Sequence, residues 1–157
     1  MELFTDKIKQ EIDSIRRKFP KDKSKSSIIE SLLVIQHDNN GYLTDELMIE
    51  LANYLNVEKI DVYEVATFYT MFNLEPVGRN TISVCTNVSC MLRQSDEILK
   101  HIEKKLNIKV GESTKDNKFY LKDEMECLAA CNGAPMMQVN HINYENLTFK
   151  KIDEIIE

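Results

Sequence analysis

Proline and glycine are scarce in this chain, with three of the first and four of the second among 157 residues. Long flexible linkers are built from such residues, so none is expected. No apolar run approaches the roughly 20 residues a membrane-spanning helix requires. Any membrane connection should therefore run through partners. Nor is there a surplus of positive charge. The formal net charge is −6, whereas nucleic-acid binding needs a concentrated basic surface to meet phosphate; an acidic balance of this size reads first as solubility. The usual marks of an active site are missing too: there is no GxSxG nucleophile turn, no phosphate-binding loop and no GxGxxG fingerprint. No hydrolytic chemistry and no NADH site are expected on this chain by itself.

What is present is a soluble, globular composition, 43% hydrophobic and 29% charged, at a length that suits one ordinary domain or a compact domain with a helical appendage. The first half reads as helices. Ile8, Ile12, Ile15 and Phe19 recur at helical spacing over residues 4 to 18, and Pro20 stops that helix. The polar, basic KDKSKSS connector leads to Ser27, which with Glu30 has the spacing of a capping box. The second helix is apolar on most sides, as a helix packed among others would be, and Asn39, Asn40 and Gly41 close it. His37, near that end, reads as a surface group. Thr44 caps a third helix carrying Leu47, Leu51 and Leu55, and a fourth begins near Glu58 and runs through Ile60, Val62, Val65, Phe68, Tyr69 and Phe72. Its aromatic run TFYTMF is expected to form a bundle core with one exposed edge.

At LEPVGRN the pattern changes to alternating strand and helix signals, which sets a boundary between a helical domain, residues 1–76, and a second domain, residues 77–157. TISV predicts a strand ending at Cys85. A helix is predicted from Cys90 to Leu106, with Met91, Leu92, Ile98, Leu99, Ile102 and Leu106 facing the core and His101 solvated. FYLKDEMEC reads as a strand leading to Cys127. PMMQVN and HINY read as short strands turning near Asn140 and His141, with only one of Met136 and Met137 expected to face inward. Thr148 caps a closing helix. Cys85 at a strand end, Cys90 at a helix start and two more cysteines in an adjacent loop can then converge at one edge of the sheet.

The chemistry gathers in the only four cysteines, Cys85 and Cys90 in CTNVSC and Cys127 and Cys131 in CLAAC. Two close pairs admit disulfides, a tetrahedral zinc site or an iron-sulfur cluster. Disulfides need an oxidising compartment, and MELFTDKIKQ lacks the apolar core of a secretory signal. The spacing alone leaves zinc open. The flanks favour a bulkier anionic group: Cys90 is placed at a helix start, Thr86 to Ser89 are small or polar, and Asn132, Gly133, Ala134 and Pro135 form a small-residue turn. His141, the histidine closest to the second pair, reads as a turn residue.

CTNVSCMLRQSDEI, then VGE, then ECLAACNGAPMMQVN and YENLT, in this order and separation, resemble the small thioredoxin-like [2Fe-2S] subunit of NADH-quinone oxidoreductase, respiratory complex I. The resemblance spans essentially the whole chain, VYEVATFYTMF included. It implies an α+β fold in which an N-terminal helical bundle precedes a thioredoxin-like [2Fe-2S] ferredoxin domain. It implies that Cys85, Cys90, Cys127 and Cys131 ligate one [2Fe-2S] cluster. It also implies a partner flavoprotein holding FMN and the NADH site, gripped by the helical half, among other complex I subunits, so that the chain is part of an enzyme without a complete active site of its own. The implied location is cytoplasmic, on the inner membrane through partners, or the matrix side in a mitochondrion. Gln94, Ala129 and Asn132-Gly133 depart from the family's usual LRG, CLGAC and following residues, which bears on hydrogen bonds to sulfur and leaves the ligands intact. A small subunit of an NAD-linked hydrogenase or formate dehydrogenase, a free-standing ferredoxin and a structural zinc-binding adaptor are the competing readings.

Overall fold

The computed structural model describes residues 3–123 and 127–157. The chain divides into two compact units, Met1–Pro76 and Val77–Glu157, the first helical and the second a four-stranded sheet with helices. The fold is α+β with the helices first, as expected.

In the first unit, α1 (Asp6–Arg16) begins at Thr5, whose hydroxyl accepts from the Ile8 amide, and buries Ile8, Ile12 and Ile15. Full burial of one such side chain contributes about 1.5–3 kcal/mol. The helix ends ahead of Pro20. α2 (Ile28–Asp38) departs from expectation at its start. Ser24–Ser27 forms a tight 3-10 turn, the Ser27 hydroxyl donates back to the Ser24 carbonyl at 2.6 Å, and Glu30 pairs with Lys18, so no capping box forms there. The box appears instead at α4 (Lys59–Phe68), where the Asp61 carboxylate accepts from the Glu58 amide at 3.2 Å. Asn40 and Gly41 take left-handed backbone at the end of α2, as predicted. Thr44 caps α3 (Asp45–Leu55) by accepting from Leu47.

The fourth helix stops at Phe68, four residues before Phe72. This splits the aromatic run: Phe72 returns to the core made by Leu32, Leu51 and Val62, while Phe68 is 78% exposed, with Tyr69 and Met71 also outward. The return is held by Gln36, whose side chain donates to the Met71 carbonyl and accepts from the Asn73 amide.

In the second unit β1 (Asn80–Val84) runs parallel to β2 (Phe119–Lys122) and antiparallel to β3 (Met137–Val139), which pairs antiparallel with β4 (Ile142–Tyr144). The sheet order is β2-β1-β3-β4. Asn140 and His141, both with positive φ, make the β3–β4 turn. Two helical segments link β1 to β2, where one was predicted: α5 (Val88–Met91) and α6 (Ser95–Leu106). Gln94 separates them in left-handed backbone, φ 66°. The break rotates Met91 and Leu92 out of the stripe, and both are exposed; Ile98 and Ile102 keep the core face.

The closing helix, α7 (Phe149–Ile155), starts at Thr148 as expected. It lies on α6 and takes His101 out of the solvated role predicted for it. The His101 ring stacks on Phe149 with centroids 4.7 Å apart, and its Nε2 lies 2.9 Å from Asp153 Oδ1.

Candidate metal centre

The sheet's two-residue alternation decides where the cysteine chemistry goes. Ile82 and Val84 of β1 and Met137 of β3 belong to the core beneath α6 and α7. One residue further along each strand the side chains reverse, and Cys85 and Met136 lie in a separate small cluster with Cys90, Ala130 and Ala134. The strand pairing continues across this step, since the Cys85 amide donates to the Met136 carbonyl at 3.2 Å. Both neighbouring methionines are therefore buried, Met137 at 0% and Met136 at 1% exposure, where only one was expected to face inward. The expectation assumed one wet face; here the second face is covered by the cysteine loops.

Cys90 is the third residue of α5 rather than a helix's first. The cap is Asn87, whose side chain accepts from the Val88 amide and whose carbonyl accepts from Cys90 and Met91. The four-residue α5 supplies much less axial dipole than the long helix predicted. What holds Cys90 is burial: the thiol is pushed up to about 11, first by desolvation and then by the Cys85 thiol beside it, with Cys131 adding and a backbone hydrogen bond from Met136 opposing.

Cys127 and Cys131 are exposed, and their sulfurs lie 3.3 Å apart. Cys131 opens the 3-10 turn Cys131–Gly133. The two cysteine loops meet where Ala130, next to Cys131, packs with the buried Cys85 and Cys90, and Cys131 adjoins Cys127. All four cysteines are free thiols, two buried and two exposed. The approach to Cys127 through 124–126 falls outside the described residues, so the predicted strand ending there is observed only as far as Lys122.

A Cβ on Gly133 would collide with the Glu145 side chain, so the small residue makes room for the segment after β4, whose Asn146 amide donates to the Gly133 carbonyl at 2.7 Å. Two of the sequence departures also take left-handed backbone: Gln94 at φ 66° and Ala129 at φ 60°. Glycine adopts that region without the steric cost a side chain brings.

The residues fit an iron-sulfur group by donor chemistry. Thiolates are the soft ligands such clusters take. Four thiolates would also suit one tetrahedral zinc ion, so donor chemistry by itself admits both groups. Leu128 and Ala130 of the apolar wall were not anticipated from the sequence, whereas Ala134 and Met136 had been named there in the turn and strand after Cys131; alternation at the β1 and β3 ends was the signal that pointed to the wall.

Helical bundle, mixed sheet and two cysteine pairs whose loops meet at a sheet end describe a thioredoxin-like protein. Residues 12–157 match the thioredoxin-like [2Fe-2S] ferredoxin family, and the chain belongs to it. It is 47% identical over 145 residues to a protein of Rickettsia bellii named as a subunit of NADH-quinone oxidoreductase, covering 92% of this chain and 86% of the relative. The Rickettsia prowazekii protein of the same name is 46% identical, covering 92% and 81%. The mitochondrial NADH dehydrogenase [ubiquinone] flavoprotein 2 of Dictyostelium discoideum is 43% identical, covering 92% of this chain and 58% of the relative. Among solved structures, an NAD+-reducing [NiFe]-hydrogenase in the air-oxidised state shares the fold with a TM-score of 0.67 at 21% identity, over 80% of this chain and 22% of that one.

Proposed function

We propose that this chain is an electron-transfer subunit of NADH-quinone oxidoreductase, respiratory complex I, in which Cys85, Cys90, Cys127 and Cys131 hold one [2Fe-2S] cluster. The observation that carries the reading is the meeting of two cysteine loops far apart in sequence, Cys85 and Cys90 packing with Ala130 and Ala134 on either side of Cys131, and Cys131 lying 3.3 Å from Cys127. Relatives of 46–47% identity that are named as subunits of this oxidoreductase support the assignment to the complex.

Bound there, the cluster supplies a reversible one-electron change. The chain's residues provide its setting. The thiols release their protons on metal binding, and the high value of the buried Cys90 thiol makes that release pH-dependent. Leu128, Ala130, Ala134 and Met136 keep water from the buried pair. Cys127 and Cys131 leave the other end near the surface, where a redox partner can approach. The partner in this reading is a flavoprotein subunit carrying FMN and the NADH site, with which the cluster exchanges electrons. Exposed Phe68, Tyr69 and Met71 make the helical unit its grip. Among the described residues no helix is long and apolar enough to cross a membrane, so attachment to the inner membrane, on its cytoplasmic or matrix side, runs through the other subunits.

The test is anaerobic purification followed by iron, acid-labile sulfide and visible absorption measurements. About two irons and two sulfides per chain are expected, with a paramagnetic signal on reduction that Cys85→Ser abolishes or reshapes. Zinc in place of iron, or a Cys85→Ser spectrum identical to wild type, overturns the ligand set. Failure of a flavin-containing protein to co-purify from native extracts overturns the partner assignment.

A further inference from the structure

The four thiols are unequal, and the inequality has a chemical consequence for the chain before it holds a cluster. Cys85 and Cys90 are 2% and 1% exposed. Cys127 and Cys131 are both exposed, and their sulfurs, at 3.3 Å, need to close by little more than 1 Å to reach the roughly 2.05 Å of a disulfide. Cys131 lies at the start of a short turn, separated from Cys127 only by Leu128, Ala129 and Ala130, so the link closes a small ring within one loop.

We propose that Cys127 and Cys131 form a thiol-oxidation site for low-molecular-weight disulfides such as oxidised glutathione, and that its closure blocks cluster acquisition. The oxidation clause rests on exposure and distance alone; the blocking clause rests on the four-cysteine reading above. The thiolate of one exposed cysteine attacks glutathione disulfide, breaking its S–S bond and releasing one glutathione as thiolate. The second cysteine attacks the protein sulfur of that mixed disulfide and expels the second glutathione. Two cysteine thiols are oxidised, one glutathione disulfide is reduced to two thiols, and the two cysteine protons end on the glutathiones. Exchange requires the oxidant to reach sulfur in line, which the apolar wall denies to Cys85 and Cys90 in the folded chain.

The experiment uses the full chain, freed of metal by a chelator under anaerobic conditions and then exposed to oxidised glutathione at neutral pH. Remaining thiols are blocked with N-ethylmaleimide, and peptides are read by mass spectrometry. The expected product is an internal Cys127–Cys131 link formed at least about tenfold faster than any modification of Cys85 or Cys90. Cys131→Ser should stop at a stable glutathione adduct on Cys127. The oxidised chain should take up little iron and sulfide in reconstitution, and a thiol reductant should restore uptake. Linkage of Cys85 to Cys90 at an equal rate, or glutathione adducts on wild-type Cys127 or Cys131 that never resolve, overturns the oxidation site. Undiminished cluster uptake by the linked chain overturns the block. If the never-oxidised chain also takes up no cluster while the Cys127–Cys131 link still forms, the cluster reading and the block fall and the oxidation site stands.

Discussion

Gly78→Ala tests how the sheet that carries Cys85 is assembled. A Cβ on Gly78 falls 2.5 Å from the carbonyl carbon and oxygen of Phe119 and 2.8 Å from the Tyr120 amide nitrogen, whereas nonbonded carbon contacts settle at about 3.5–4.0 Å. All three are backbone atoms, so no side-chain rotation relieves the overlap, and β2 must retreat from β1 by about 1 Å. The retreat acts where the parallel pairing begins, with Asn80 opposite Phe119 and the amides of Arg79 and Asn80 donating to Asn117 and Lys118 at 2.9 and 3.0 Å. Losing both bonds costs about 0.5–1.5 kcal/mol each, and overpacking about 1–3 kcal/mol more, for a total of about 2–6 kcal/mol. In a unit the size of Val77–Glu157, each kcal/mol lowers Tm by about 4–8 °C, so the transition of this unit should fall by about 10 °C or more. Thermal unfolding by circular dichroism measures it, with Gly133→Ala as the contrast. There the added methyl meets the Glu145 side chain, which can swing aside where a strand cannot. A Gly78→Ala transition within about 2 °C of wild type, or a larger loss for Gly133→Ala, would refute this account of the sheet.

Two further substitutions probe α6. Ile102→Ala empties a fully buried position in the core of the second unit and should cost about 2–5 kcal/mol in urea unfolding, while Leu92→Ala at 76% exposure should stay within about 0.5 kcal/mol. The α6–α7 contact should show in acid. Hydrogen bonds from Lys105 and then His101 hold the Asp153 carboxyl below its ordinary value of 3.8, so the folded state binds that proton more weakly than the unfolded one, and the stabilisation is present above 3.8 and lost as pH falls through the lower folded value. Asp153→Asn should therefore be less stable than wild type at neutral pH, with the difference vanishing in strong acid; a pH-independent difference would remove the ion pair as its cause.

Much of the fold was legible because local physics dominates it. Thr44 and Thr148 cap the helices they precede, and Asn140 and His141 turn the hairpin, since these roles need only a side-chain oxygen or a tolerance of positive φ. The readings that failed depended on what each segment meets. Ser27 and Glu30 had the spacing of a capping box, but Glu30 found Lys18, twelve residues away. Met91 and Leu92 fitted a helical stripe until Gln94 broke the helix, a left-handed position no periodicity reveals. His101 stood among charged neighbours in sequence, and only the docking of α7 supplied Phe149 and Asp153 as its partners.

The residue order alone determined the cysteine inventory and its pairing into two short loops, because residue type and spacing are local properties; that spacing left zinc and an iron-sulfur cluster both open, and the family resemblance chose between them. Tertiary structure decided that the two loops meet, that one pair is buried and the other open, and that Cys85 and Met136 leave the core face held by Val84 and Met137. The reason is the pleat. Which face of a sheet a residue occupies is set by strand register, and register is fixed by partners brought from distant parts of the chain.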